Sequence, residues 1–292
     1  MRNIFIFLVS TFGFTHACAQ VDTGICQQSV LQLQAAVTSG ETFFIKVHAA
    51  ENLIYHHQTE GLEFKFLQLK QASPDNVIGS LCVLARLNST DAKNYNKYIG
   101  QLLAHFKHGS SSKEQLTALE SLSKLGYDEP LETIKAYADT GSNGFKGMAR
   151  WLLSNNGSQQ TENQLSELLM SKQEIDYRYA AYALRFKLKV NALTVKRLKQ
   201  CLQSIQSNNA ARVYVCSSLF VHSDVRGRKK IKPVLIQYLA GTVGERCEVA
   251  EALNLGGGKQ DLHYLTDMLK DQNTDVMVAA ANAILKIMNC KN

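Results

Sequence analysis

The residues best placed to do chemistry are cations. Between Lys172 and Lys232 stand 14 Lys or Arg against Glu174, Asp176 and Asp224, a net of +11, while the rest of the chain is mildly acidic and the whole carries +7. Arg178, Tyr182, Arg185 and Lys189 follow at intervals of 4, 3 and 4, which places them on one face of a helix. Lys196, Arg197 and Lys199 come next, and Arg226-Gly227-Arg228-Lys229-Lys230 reads as a basic turn before Lys232. Arginines flanked by aromatic residues hold phosphate, sulfate or carboxylate through paired hydrogen bonds, and a patch of one sign attracts anions at long range. Arg178, Tyr182, Arg185, Lys189, Lys196, Arg197, Lys199, Arg228, Lys229 and Lys230 are the candidate anion- or partner-binding set. The same charges would also serve as a solvated face that keeps the chain in solution.

Other reactive types lack a partner at the right spacing. His48, Glu51 and Asn52 share a helix and His56-His57 follow, but there is no H-E-x-x-H and no cysteine at ligand spacing, so no metal is assigned. His48 is read instead as a packed position of a repeat. No G-x-S-x-G, phosphate loop or dinucleotide fingerprint occurs, and Gly256-Gly257-Gly258 follows an apolar helix, where glycine acts as a stop. No catalytic residue and no cofactor are therefore expected. Trp151 in Ala149-Arg150-Trp151-Leu152 reads as core.

The elements that must position these residues are helices. Apolar residues recur at three-and-four spacing, interrupted every 12 to 18 residues by Gly, Asn, Ser or Pro, with no sustained alternation. Pro130 and Pro233 sit where helices would start, and Pro74 lies in a turn. A twelve-residue pattern, a polar cap and then an apolar helix ending in small-x-x-Leu, is laid on the chain eight times. Its starts are 42, 76, 111, 141, 173, 208, 242 and 273, separated by 30 to 35 residues. TFFIKVHAAENL, QEIDYRYAAYAL, TVGERCEVAEAL and NTDVMVAAANAI are the clearest copies. A second amphipathic helix lies between copies, as at Leu131 to Ala138 and Val234 to Leu239. Such a hairpin cannot bury its own apolar face and must stack on its neighbours.

The pattern resembles the second helix of HEAT repeats, whose consensus reads Asp-x-x-Val-Arg-x-x-Ala-Ala-x-Ala-Leu. In TFFIKVHAAENL, Ile45, Lys46, Ala49, Ala50 and Leu53 are in register with it, and Arg212 and Arg246 fall on the consensus arginine. The chain departs from it at Gly79, which replaces an apolar residue, and at Phe145 and Tyr177, which replace the arginine. The resemblance, over about Gln27 to Cys290, implies an all-α fold, a right-handed α-solenoid of about eight hairpins. It is similar to exported bacterial HEAT-domain proteins and carries no assigned activity.

Composition sets the compartment. In 292 residues, 45% hydrophobic and with 3 prolines, there is apolar material for a sizeable core and nothing of a disordered chain. Arg2, the apolar run Ile4 to Phe14 and Ala17-Cys18-Ala19 form a secretory signal over 1–19, leaving 20–292 as the repeat domain in the periplasm or outside the cell. Lipid attachment at Cys18 is the alternative. No later stretch reaches the ~20 apolar residues that a membrane span needs. Six cysteines remain, read as small buried side chains; if one bridge forms, Cys201 and Cys216 on paired helices are the candidates.

The expectation is an exported, non-catalytic binding or scaffold protein that holds a protein or an acidic polymer. The alternatives are an anionic-polysaccharide accessory protein and a HEAT-like enzyme of the DNA-glycosylase or bilin-lyase kind. An exported chain would not meet nucleic acid, so N-terminal sequencing of the mature protein decides between compartments. Gln20 as first residue is the expected result, and Met1 retained in a cytoplasmic fraction would restore the nucleic-acid reading.

Overall fold

The structure is a computed structural model that describes residues 12–129, 131–142 and 144–290. Residues 1–11 of the leader, and Pro130, lie outside the described residues. Among the described residues there are sixteen α-helices and no strand, so the fold is all-α. In chain order they are α1 (Phe12–Thr38), α2 (Phe43–Tyr55), α3 (Leu62–Ala72), α4 (Val77–Leu87), α5 (Ala92–His108), α6 (Ser112–Lys124), α7 (Glu132–Thr140) and α8 (Phe145–Ser154). They continue as α9 (Gln159–Glu167), α10 (Glu174–Arg185), α11 (Ala192–Ser204), α12 (Arg212–His222), α13 (Val225–Ile236), α14 (Val243–Gly256), α15 (Leu262–Met268) and α16 (Thr274–Met288).

The even-numbered helices carry the small-x-x-Leu segments and form an inner layer. Each packs on the next, from α2 on α4 through to α14 on α16, and α16 then packs on α2. The inner layer is therefore a closed ring. Odd-numbered helices cover its outside, with α5 against both α4 and α6 and α9 against both α8 and α10. Across the seam α1 lies against both α16 and α2 in the same way, so the first and last helices meet as ordinary neighbours.

Small and branched apolar side chains let the inner helices approach. Ala50, Ala149, Ala181, Ala250 and Ala281 are fully buried, as are Leu84, Leu122, Leu184 and Leu253. Each of those leucines contributes roughly 1.5–3 kcal/mol relative to an exposed position. Gly79 has its reason here: a Cβ at that position would stand 2.7 Å from Phe43 Cε1 and 2.9 Å from Val47 Cγ2, so only glycine lets α4 close on α2. Gly147 does the same for α8 against Tyr179 of α10. Ser111, Thr242 and Asn273 cap α6, α14 and α16 by accepting first-turn N–H groups, whereas Thr42 and Asn76 make no such bond.

Three sequence expectations are corrected. Pro233 lies inside α13 rather than at a helix start, on the exposed outer layer, where losing one backbone hydrogen bond is tolerated. The segment Arg226 to Lys230 is the first turns of α13, capped by Asp224, and not a loop. Cys201 and Cys216 are free and buried, behaving as small apolar groups. The bridge joins Cys26 of α1 to Cys290 just beyond α16, and so ties the seam across 264 residues.

Closing so long a loop removes much of the entropy of the unfolded chain. Reduction, or Cys26→Ser, is expected to lower unfolding stability by about 3–5 kcal/mol in urea titrations. An unchanged midpoint would show that the seam holds without the bridge.

Candidate functional site

The ring encloses a lumen of about 460 Å³ lined from every inner helix except α8. The residues that face it follow from the repeat. The residue immediately after the buried alanine in four copies, namely Glu51, Tyr182, Glu251 and Asn282, lines the lumen. At that register the alanine packs between helices, and the next residue is turned by about 100° toward the axis.

Most charged groups of the lumen are paired, several across the ring. His48 Nδ1 of α2 stands 3.0 Å from Asp275 Oδ1 of α16, over the seam. Arg86 Nε of α4 donates to Glu51 Oε1 of α2 at 3.2 Å, and Arg86 Nη2 donates to the Lys124 carbonyl at 3.3 Å. Lys124 Nζ pairs with Glu120 one turn earlier on α6, at 2.9 Å. Tyr182 of α10 donates to Glu120 at 2.7 Å, reaching past α8. Arg185 Nη1 of α10 lies 2.6 Å from Glu248 Oε2 of α14, reaching past α12. That last pair is almost completely buried, at 3% and 5% side-chain exposure.

Burial and pairing set the protonation states. Burial alone would raise the Glu51 carboxyl, but Arg86, Lys124 and His48 bring it down to about 2. Burial, the largest single effect, lowers the His48 imidazole, but the hydrogen bond to Asp275 together with the charges of Asp275 and Glu51 makes the net shift upward. Glu120 holds the Lys124 ammonium far above its usual range against the opposing effect of burial. Burial drives Glu248 upward despite Arg185, with Glu251 adding to the rise. Burial, Asp275 and Glu251 push the Cys247 thiol to about 12, and burial with Glu120 pushes the Tyr182 phenol upward.

The candidate basic set does not come together. Only Tyr182 and Arg185 line the lumen, and both are engaged in the bridges just described. Arg178 lies over the Tyr179 ring at 5.4 Å. Arg197 donates to the Asn163 carbonyl and to Ser166, and Arg228 to the carbonyls of Gly256 and Val221, so both hold helix ends together. Lys189 lies beyond the end of α10 and is exposed, as are Lys196 and Lys199 on α11 and Lys229 and Lys230 on α13.

His48 is not the packed position expected of it, since its side chain is 44% exposed and faces the lumen. Trp151 is core, 2% exposed, stacked on Phe186 and edge-on to Tyr182, which it props toward the lumen. A second recess of about 370 Å³ shares Glu51, Tyr55, Arg86 and Lys124 with the lumen. Among the described residues no group of three His, Cys, Asp or Glu could hold a metal ion, and no helix is long and apolar enough to cross a membrane.

No protein-family model matches the chain, and no curated protein is significantly similar to it. Among solved structures, the crystal structure of an engineered protein from a structural genomics consortium is similar to this chain at 16% identity. The match covers 98% of each chain with a TM-score of 0.33.

Glu51 ties the network to pH. Its folded value of about 2 lies below the ordinary 4.5, so its contribution is complete above 4.5 and is lost as pH falls toward 2. That contribution is on the order of 3 kcal/mol. Urea midpoints measured from pH 6 to 2 are expected to fall more steeply in this window for the wild type than for Glu51→Gln, which is already destabilised at pH 6. Parallel profiles would contradict the assignment.

Proposed function

We propose that the chain is an exported binding protein built of HEAT-like helical hairpins, its superhelix turned back on itself, and that it holds a small polar ligand in the lumen. The observation that carries this reading is the lumen itself: about 460 Å³, within the range of ligand pockets, lined from seven helices and carrying charges of both signs from six of them. Binding rather than catalysis is supported by two of the lumen groups that could act as nucleophiles. The Cys247 thiol and the Tyr182 phenol are both pushed away from ionisation at neutral pH. Export is supported by the leader composition and by the Cys26–Cys290 bridge, a bond that persists in oxidising compartments.

A second reading rests on the outer wall. Lys196, Lys199, Lys229 and Lys230 are exposed on α11 and α13 and form no ion pair among the described residues, so this wall would hold an acidic polymer or an acidic protein surface.

Native mass spectrometry of protein isolated from its own envelope or culture fluid separates the two. The lumen reading expects a bound species of small-ligand size that is absent from Ala279→Phe, a change that fills the lumen without touching a charge. A ligand-free wild type that instead captures a polyanion, with salt-sensitive capture abolished when the four lysines become Ser, would move the function to the outer wall.

A further inference from the structure

The charges of the lumen are not all engaged, and those left over share one side. Glu248, Glu251 and Asn254 are spaced three apart on α14 and all line the cavity. Among the described residues Glu251 forms no ion pair and accepts only from Asn254 Nδ2, at 3.3 Å. Glu248, 5% exposed, is already served from two sides, by Arg185 at Oε2 and by the Ser217 hydroxyl. Asn254 Oδ1 has no hydrogen-bond partner among the described residues. An orphaned buried acceptor is destabilising, and it calls for a donor.

We propose, resting on the lumen as the binding site, that the ligand carries a primary ammonium group seated on this strip of α14. An ammonium has N–H donors and no acceptor, and the strip offers the Glu251 carboxylate with Asn254 Oδ1 one turn away. Tyr214 of α12 lines the same part of the cavity and supplies an aromatic ring, which suits a cation. Arg185 leaves the site short of positive charge, because it neutralises only one of the two carboxylates.

The complementary end of the ligand is an anion. Lys286 of α16 lines the lumen, lies 5.5 Å from the centre of the Tyr55 ring and forms no ion pair among the described residues. One strip therefore lacks a cation and the neighbouring helix presents an ammonium that lacks an anion. A zwitterion satisfies both, its ammonium on α14 and its carboxylate at Lys286. A free dipeptide or tripeptide is the class that combines these termini with the size of the cavity.

The test uses the mature full-length protein and an equimolar mixture of dipeptides of Ala, Val, Leu and Ser, read by native mass spectrometry. The same mixture is offered N-acetylated, which removes the ammonium, and C-amidated, which removes the carboxylate. Retention of the free dipeptides is expected to fall at least tenfold on acetylation and also on Glu251→Gln. Lys286→Met is expected to bind the free dipeptides no better than the wild type binds the amides. Acetylation changes the ligand and not the protein, so the result stands even if Glu251→Gln folds poorly. Equal retention of free and acetylated dipeptides, or no retention of free ones, overturns the proposal. A sugar or a simple anion found in the lumen of the isolated protein would overturn it too, while leaving the lumen as the binding site.

Discussion

The contact on which everything else depends is that of α16 with α1 and α2. Without it the inner helices would form an open row with two ends, and their axial residues would face solvent. With it the row becomes a ring, and the residues at one register of each repeat are held around a common space. The seam is built like any other junction: apolar packing of buried side chains such as Leu33, Val47, Val276 and Ala280, a disulfide at its outer edge, and His48 with Asp275 at its inner edge. Its strength comes chiefly from the burial, since a partly exposed His–Asp pair adds at most ~1 kcal/mol.

Closure changes the physics of the charges it encloses. An exposed carboxylate and an exposed guanidinium attract weakly, but Arg185 and Glu248 meet where almost no solvent reaches, and each alone would be a heavily destabilising buried charge. The bridges that reach past an intervening helix, Tyr182 to Glu120 and Arg185 to Glu248, also fix the width of the lumen. Function and stability are therefore coupled. A ligand that satisfies the remaining acceptors would bind the folded ring only and raise its stability in proportion to its concentration.

The sequence made some of this legible. Three-and-four spacing gave the all-α class, and the recurrent alanines marked the close-packed face of the inner helices. Closure was not legible, because it depends on a small rotation per hairpin summed over eight, which no local pattern encodes. For the same reason Cys26 and Cys290, at opposite ends of the chain, gave no sign of pairing, while Cys201 and Cys216 looked near enough to pair and are merely buried. The basic block misled for another reason: a count of charges does not show that Arg197, Arg212 and Arg228 hold carbonyls at helix ends. The signal that could have found the lumen was in the repeat all along, since Glu51, Tyr182, Glu251 and Asn282 each follow the small residue and are polar in the middle of apolar helices.

The measurement that bears most directly on closure is a double-mutant cycle on His48 and Asp275, which lie 227 residues apart in sequence and 3.0 Å apart in the ring. Stabilities of wild type, His48→Ala, Asp275→Ala and the double variant would be taken from urea unfolding at pH 6, where the raised pKa of His48 favours the charged imidazole. A closed ring predicts a favourable coupling of about 0.5–1 kcal/mol, the size expected of a half-exposed pair in contact. Strict additivity, with the bridge between Cys26 and Cys290 intact, would contradict the seam from which the lumen follows.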